Sequence, residues 1–162
     1  MTRNVYFLRH GKAQSRAVWE GSDDRRPLTV TGEDDMRRAA KGMKRLGIAP
    51  DVIVTSPLAR ARRTAEIVAE ELGMLDRLVD DKRLAHGFDA RALAKIVAGS
   101  GNVASVMVVG HEPDLSVAVG QVTGGGRVEL KKGALALVHV DSPALDGGVL
   151  AWLMTPAQLA GA

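Results

Sequence analysis

The sequence predicts an α/β protein, a three-layer α/β/α sandwich around a mainly parallel sheet. Short apolar runs alternate along the chain with amphipathic helical stretches, the signature of that layering. Several of these runs are rich in Val, Ile and Leu, as strands buried on both faces are. The length, 162 residues, suits one domain with a sizeable core, so residues 1–162 are read as a single unit.

Residues 3–8 form the first strand, whose apolar run Val5-Tyr6-Phe7-Leu8 breaks off into Arg9-His10-Gly11. Residues 11–28 read as a long polar loop with Gly21, Asp23, Asp24 and Pro27. A loop of that length directly after a strand end is more often functional than idle. Thr31 is placed to cap a helix, with Asp34 three residues on; Met36, Ala39, Ala40 and Met43 recur at helical spacing and Gly47 stops it. Val52, Ile53 and Val54 make a second strand, and Ser56-Pro57 reads as cap and first residue of the next helix. Leu58, Ala61, Ala65, Val68 and Leu72 draw its apolar stripe, ended by Gly73. Arg60 and Thr64 stand four apart on a neighbouring face.

A third strand is placed over residues 78–84. Asp89 caps a helix carrying Leu93, Ile96 and Val97. Ser105 to Val109 is a strongly apolar strand ending in Gly110-His111-Glu112-Pro113, and a helix with Leu115, Val119 and Val122 follows. After a turn at Gly124–Gly126, residues 134–140 and 149–153 read as two last strands joined by a tight loop with Pro143, Gly147 and Gly148. The tail after Pro156 is expected to fray.

Composition narrows the function. Aromatic residues are only 3%, too few for the stacking platforms of a nucleic-acid surface. There is no cysteine, which removes disulfides, thiolate metal sites and cysteine nucleophiles, and suits a reducing cytoplasm. No apolar run is long enough to cross a bilayer, and the N-terminus lacks a secretory signal pattern. Net charge is +3, with Arg9, Arg25, Arg26, Arg60, Arg62 and Arg63 near loop or helix starts. That placement suits an acidic or phosphorylated partner better than a long polyanion.

Three strand ends carry unusual residues: Arg9-His10 after the first strand, Arg60 just past Ser56-Pro57, and His111 after the strand over 105–109. In a parallel sheet such ends can converge on one edge, where ligands are held. Two guanidiniums and two imidazoles together would suit phosphoryl transfer, whose charge spreads over three equatorial oxygens. An arginine fork meets two of those oxygens at once, and a neutral imidazole can take the phosphoryl group itself.

The segments Leu8-Arg9-His10-Gly11, Ser56-Pro57-Leu58-Ala59-Arg60-Ala61-Arg62-Arg63-Thr64 and Val109-Gly110-His111-Glu112-Pro113 resemble the motifs of the histidine phosphatase superfamily, the phosphoglycerate-mutase-like group. Arg26-Pro27-Leu28-Thr29 with Gly32, and Trp152-Leu153 before Thr155-Pro156, resemble its short bacterial SixA-type branch of phosphohistidine phosphatases. The resemblance implies His10 as the phosphorylated nucleophile, and Arg9, Arg60 and His111 as holders of the phosphoryl oxygens. His111 thereby counts with His10 among the catalytic pair. Gly11 would let the backbone turn closely at the site. Arg62 and Arg63 match no catalytic position. Arg26 is open between lining the mouth and a salt bridge within the loop. No cofactor and no metal are implied.

The chain departs from the larger group in one place. No Glu occurs between Glu71 and Glu112, where mutases and many relatives carry an acid. Among Asp80, Asp81 and His86, His86 is the tentative acid, because an imidazole titrates near working pH. A missing acid suits a phosphoramidate, whose nitrogen leaves more readily than an alkoxide. The expected activity is therefore dephosphorylation of phosphohistidine on a signalling or carrier protein. Hydrolysis of small phosphate esters and a non-catalytic phosphoprotein-binding module are the alternatives.

Overall fold

The computed structural model describes residues 2–142 and 144–162; Pro143, expected in the last loop, lies outside the described residues. In chain order the elements are β1 (Arg3–Arg9), α1 (Val30–Arg45), β2 (Val52–Thr55), α2 (Ala59–Leu72), β3 (Leu78–Asp80), α3 (Ala90–Gly99), β4 (Ser105–Gly110), α4 (Asp114–Val122), β5 (Leu135–Val140), β6 (Val149–Met154) and α5 (Pro156–Ala160). The six strands form one sheet in the order β3-β2-β4-β1-β5-β6. β3, β2, β4 and β1 run parallel; β5 and β6 close the other side antiparallel.

Alternation along the central strands sorts the core into two layers. Val5, Phe7, Val106 and Val108 pack with α3 and α4 on one face. Tyr6, Leu8, Met107 and Val109 pack with α1, α2 and α5 on the other. The three-layer α/β/α arrangement expected from the alternation of elements is thus the observed one.

Several local boundaries differ from the expectation. Thr29, not Thr31, caps α1: its Oγ1 accepts from the Gly32 amide at 2.9 Å, and Thr31 falls in the first turn. Ser56-Pro57 does not open α2, which starts at Ala59. Ser56 continues the strand instead, its amide donating to the Val109 carbonyl at 2.9 Å. The third strand ends at Asp80, because the Asp81 carboxylate accepts from the Arg83 amide and starts a short 3₁₀ turn over Lys82–Leu84.

The C-terminal tail is ordered rather than frayed. Thr155 and Gln158 form a capping box at the start of α5, and Leu159 is fully buried. Gly42 admits this helix against α1, since a Cβ there would stand 1.6 Å from the Leu159 carbonyl oxygen. No described helix is long and apolar enough to cross a membrane.

Candidate active site

β1 and β4 are neighbours, yet α1 after β1 and α4 after β4 lie on opposite faces of the sheet. Their chains diverge at the carboxyl ends and leave a crevice, the usual ligand position of an open α/β sheet. The ladder extends just past the strands into this crevice. The His10 amide donates to the Gly110 carbonyl at 3.1 Å, and Ser56 reaches Val109 from the far side of β4. Register alone therefore brings Arg9-His10, Ser56 and His111 to one edge.

The four residues picked out from sequence do meet there. They line a groove of about 630 Å³ together with Lys12, Arg16, Arg26, Glu112 and Lys132. The rings of His10 and His111 have centroids 5.2 Å apart. Nδ1 of His10 lies 2.7 Å from the Gly11 carbonyl oxygen. That oxygen can only accept, so Nδ1 carries the proton and Nε2 keeps its lone pair. Arg9 anchors Nη1 on the Leu130 carbonyl at 2.8 Å. Arg60, only 3% exposed, donates from Nη1 to the Asp23 carbonyl at 2.9 Å and from Nη2 to its carboxylate at 3.1 Å. The Arg60 guanidinium is thus held at both Nη groups and that of Arg9 at one. The Nε of Arg9, the Nε of Arg60 and Nδ1 of His111 are buried with no partner among the described residues. Buried polar atoms are rarely left so, and these suit a set of anionic oxygens.

Burial also sets the charge states. His10 is pushed down to about 4, chiefly by desolvation, with the cations of Arg60, Arg9 and Arg26 adding to it and the bond to Gly11 opposing. His111 falls to about 3, again mainly by desolvation and then by His10 and Arg60. Both imidazoles are neutral at pH 7. Burial lowers Arg9 and Arg60 from their ordinary value too, opposed at Arg60 by Asp23; an arginine stays charged throughout.

Gly11 owes its place to crowding. A Cβ there would lie 2.8 Å from Cγ of Met36 in α1. Arg26 fulfils both of its expected roles: it bonds Asp23 at 3.0 Å and the Gln14 carbonyl at 2.7 Å, and it lines the groove. Arg62 pairs with Glu66 and Asp80, and Arg63 with Glu33, away from the groove. His86 is exposed and stands outside the four-residue cluster, its ring roughly stacked on His111 at 6.4 Å. With Trp19, Gly21, Asp23 and Asp24 it lines an outer groove of about 460 Å³, which shares Arg16 and Arg26 with the inner one.

Little in the sequence marks Asp23 or Glu112 as site residues, or the bond from the Gly11 amide to Thr64 Oγ1. Asp23 was visible only as a loop carboxylate, and nothing in its spacing pointed to Arg60. Glu112 lines the groove beside His111 but accepts from the Ser116 amide at 3.0 Å and from the Ser116 hydroxyl. Each of its oxygens thereby accepts one bond from Ser116. The adjacency of Glu112 to His111 was the available signal. No group of three or more His, Cys, Asp or Glu that could hold a metal occurs among the described residues.

A family model described as the histidine phosphatase superfamily (branch 1) matches residues 5–86. An uncharacterised protein of Picosynechococcus is 37% identical over 139 residues, covering 81% of each chain. The phosphohistidine phosphatase SixA of Escherichia coli is 29% identical, covering 96% of this chain and 95% of its own. Among solved structures, the protein histidine phosphatase SixA complexed with tungstate superposes with a TM-score of 0.85 at 28% identity, over 96% of this chain and 99% of that one. A mycobacterial glucosyl-3-phosphoglycerate phosphatase shares the fold, with a TM-score of 0.70 at 17% identity over 93% and 98%.

Proposed function

The chain belongs to the histidine phosphatase superfamily, and from that premise we propose that it hydrolyses phosphohistidine on a signalling or carrier protein through a phosphorylated His10. The observation that carries this reading is the set of unpartnered buried atoms on Arg9, Arg60 and His111, three residues that line one groove with the neutral imidazole of His10. Tungstate, held by the SixA structure, is an oxyanion of the same shape class as phosphate.

The steps follow from the geometry. Nε2 of His10 attacks phosphorus as the P–N bond of the substrate breaks, and the departing imidazole takes a proton from solvent. Arg9 and Arg60 line the groove with their Nε–H groups unpartnered among the described residues and their Nη groups already anchored, so they can meet the equatorial oxygens with little reorganisation as charge builds. His111, neutral and beside His10, adds a third donor. Water then attacks phosphorus, the P–Nε2 bond breaks, and inorganic phosphate leaves with His10 regenerated. Glu112 lines the groove, but its carboxylate accepts from the Ser116 amide and hydroxyl. A substrate with a good nitrogen leaving group fits that arrangement better than an alkyl ester.

The neighbouring inner and outer grooves support a substrate side chain presented on a protein surface in the cytoplasm, the compartment that the cysteine-free composition suits. The deciding experiment compares kcat/KM for a phosphohistidine protein or peptide with that for aryl and alkyl phosphates. Preference for phosphohistidine supports the reading. Preference for an alkyl phosphate would replace it with the small-ester phosphatase, and binding without turnover with the non-catalytic module.

A further inference from the structure

We infer that Ser56 is a positioning residue that fixes the tautomer of His111, so that this imidazole presents a permanent Nδ1–H to the phosphoryl group. The Oγ of Ser56 lies 2.8 Å from Nε2 of His111 and accepts from the Leu58 amide at 3.2 Å. Ser56 is fully buried.

Two arrangements satisfy the 2.8 Å contact. In one, the Ser56 hydroxyl donates to a bare Nε2, and Nδ1 carries the proton. In the other, Nε2–H donates to Oγ and Nδ1 is bare. The second fills the oxygen's acceptor sites with two N–H groups and leaves its own hydrogen to find an acceptor inside the protein. It also leaves the buried Nδ1, which has no partner among the described residues, as a bare acceptor on a residue that lines an arginine-rich groove. The first leaves no hydroxyl hydrogen stranded and makes Nδ1 a donor. In an imidazole, the bond made at one nitrogen sets what the other can do. The Leu58 amide matters for the same reason: by occupying one lone pair of Oγ, it biases the hydroxyl hydrogen away from itself and toward His111. The low proton affinity of His111 agrees with a neutral ring of one tautomer.

Ser56 thereby belongs to the site rather than to the helix after it. Its catalytic consequence rests on the phosphatase reading, but the tautomer can be observed without turnover. Long-range proton–nitrogen NMR of histidine-labelled protein, with His111 assigned from the signal lost in His111→Gln, should show a pyrrole-type Nδ1 and a pyridine-type Nε2. In Ser56→Ala the proton should move wholly or partly to Nε2, and kcat should fall roughly 10- to 100-fold with less change in KM, by analogy with the loss of groups that orient metal-bound histidines. Ser56→Thr, which keeps the hydroxyl, should retain the wild-type pattern. A wild-type His111 protonated at Nε2, or a tautomer unmoved in folded Ser56→Ala, would overturn the inference. The expected spectrum with no turnover of any phosphorylated substrate would instead overturn the phosphatase reading and leave the assignment of Ser56 standing.

Discussion

Gly11 and Thr64 are joined across 53 positions of sequence: the Gly11 amide donates to Thr64 Oγ1 at 3.0 Å, while that hydroxyl donates to the Arg60 carbonyl at 2.8 Å. One buried side chain ties the loop after β1 to the first turn of α2, and so ties His10 to Arg60. Thr64→Val keeps the shape and strands the Gly11 amide, so it should cost about 1–3 kcal/mol of stability, measured by urea unfolding. It should also slow turnover, because it loosens the link between the two side chains.

His10→Ala should abolish turnover while the protein stays folded, since the ring lines the groove at the end of β1 and belongs to neither apolar core layer. Activity assay and circular dichroism on the same preparation check both halves. Wild-type protein quenched during turnover should carry labelled phosphate that His10→Ala does not. Near-wild-type hydrolysis by folded His10→Ala would sink the proposed nucleophile.

Arg60→Ala should lower the rate ~10²–10³-fold, the usual effect of losing one positioned donor. Arg62→Ala and Arg63→Ala should change it little, because their partners are Glu66, Asp80 and Glu33 on the helix surface. Partly exposed pairs of this kind contribute about 0–1 kcal/mol to stability. Equal losses in all three variants would contradict the assignment of Arg60 to the site.

The pH dependence follows from the depressed histidines. His10 has a folded value near 4 and an ordinary value of 6.5, so the unfolded chain takes up a proton that the folded one refuses as pH drops through that window. His111, near 3, acts in the same direction. Stability should be full above pH 6.5 and fall as pH decreases toward 4, by about 1.4 kcal/mol per pH unit for each histidine at the steepest. Urea titrations of wild type and His10→Asn at pH 7 and 5 would show the smaller drop in the variant. Phosphoryl transfer to His10 should show no loss of His10 reactivity on crossing pH 6.5.

Substrate preference should follow leaving-group basicity: phosphohistidine first, then activated aryl phosphate, then alkyl phosphate. A positioned acid normally contributes ~10²–10⁴ in rate for poor leaving groups. The measurement is kcat/KM over leaving groups of graded pKa, in wild type and His86→Ala. A steep slope unchanged by His86→Ala is expected, since His86 sits exposed in the outer groove. A flat slope in wild type would show that an acid operates, and a slope steepened by the substitution would make His86 that acid.

Much of the fold was legible because it depends on short-range chemistry. Val52, Ile53 and Val54 read as a buried strand, Asp89 as a cap, and Gly73 as the left-handed end of α2; all three appear in those roles. The arginines and histidines stood out because charge rarely follows an apolar strand directly. Ser56 misled for the same reason that made the rest readable. Serine before proline is a local cap signal, whereas its actual partner, His111, is 55 residues away. The hold of Asp23 on Arg60 spans 37 residues and depends on how a polar loop folds back, which no periodicity records. Thr29 and Thr31 compete for one cap, and Thr29 takes it beside a buried Leu28, with its own amide bonded to the distant Lys12 carbonyl.

The extension of the β-ladder into the crevice has a consequence for motion. The amides of His10 and Ser56 are bonded to β4 as the strand residues before them are, and both residues are buried. Opening either amide to solvent means peeling a chain from the middle of the sheet, not swinging a surface loop. Deuterium should therefore replace these two hydrogens about as slowly as those of β1 and β4 themselves, at rates tied to unfolding of the core, while the amides of residues 15–22 exchange early.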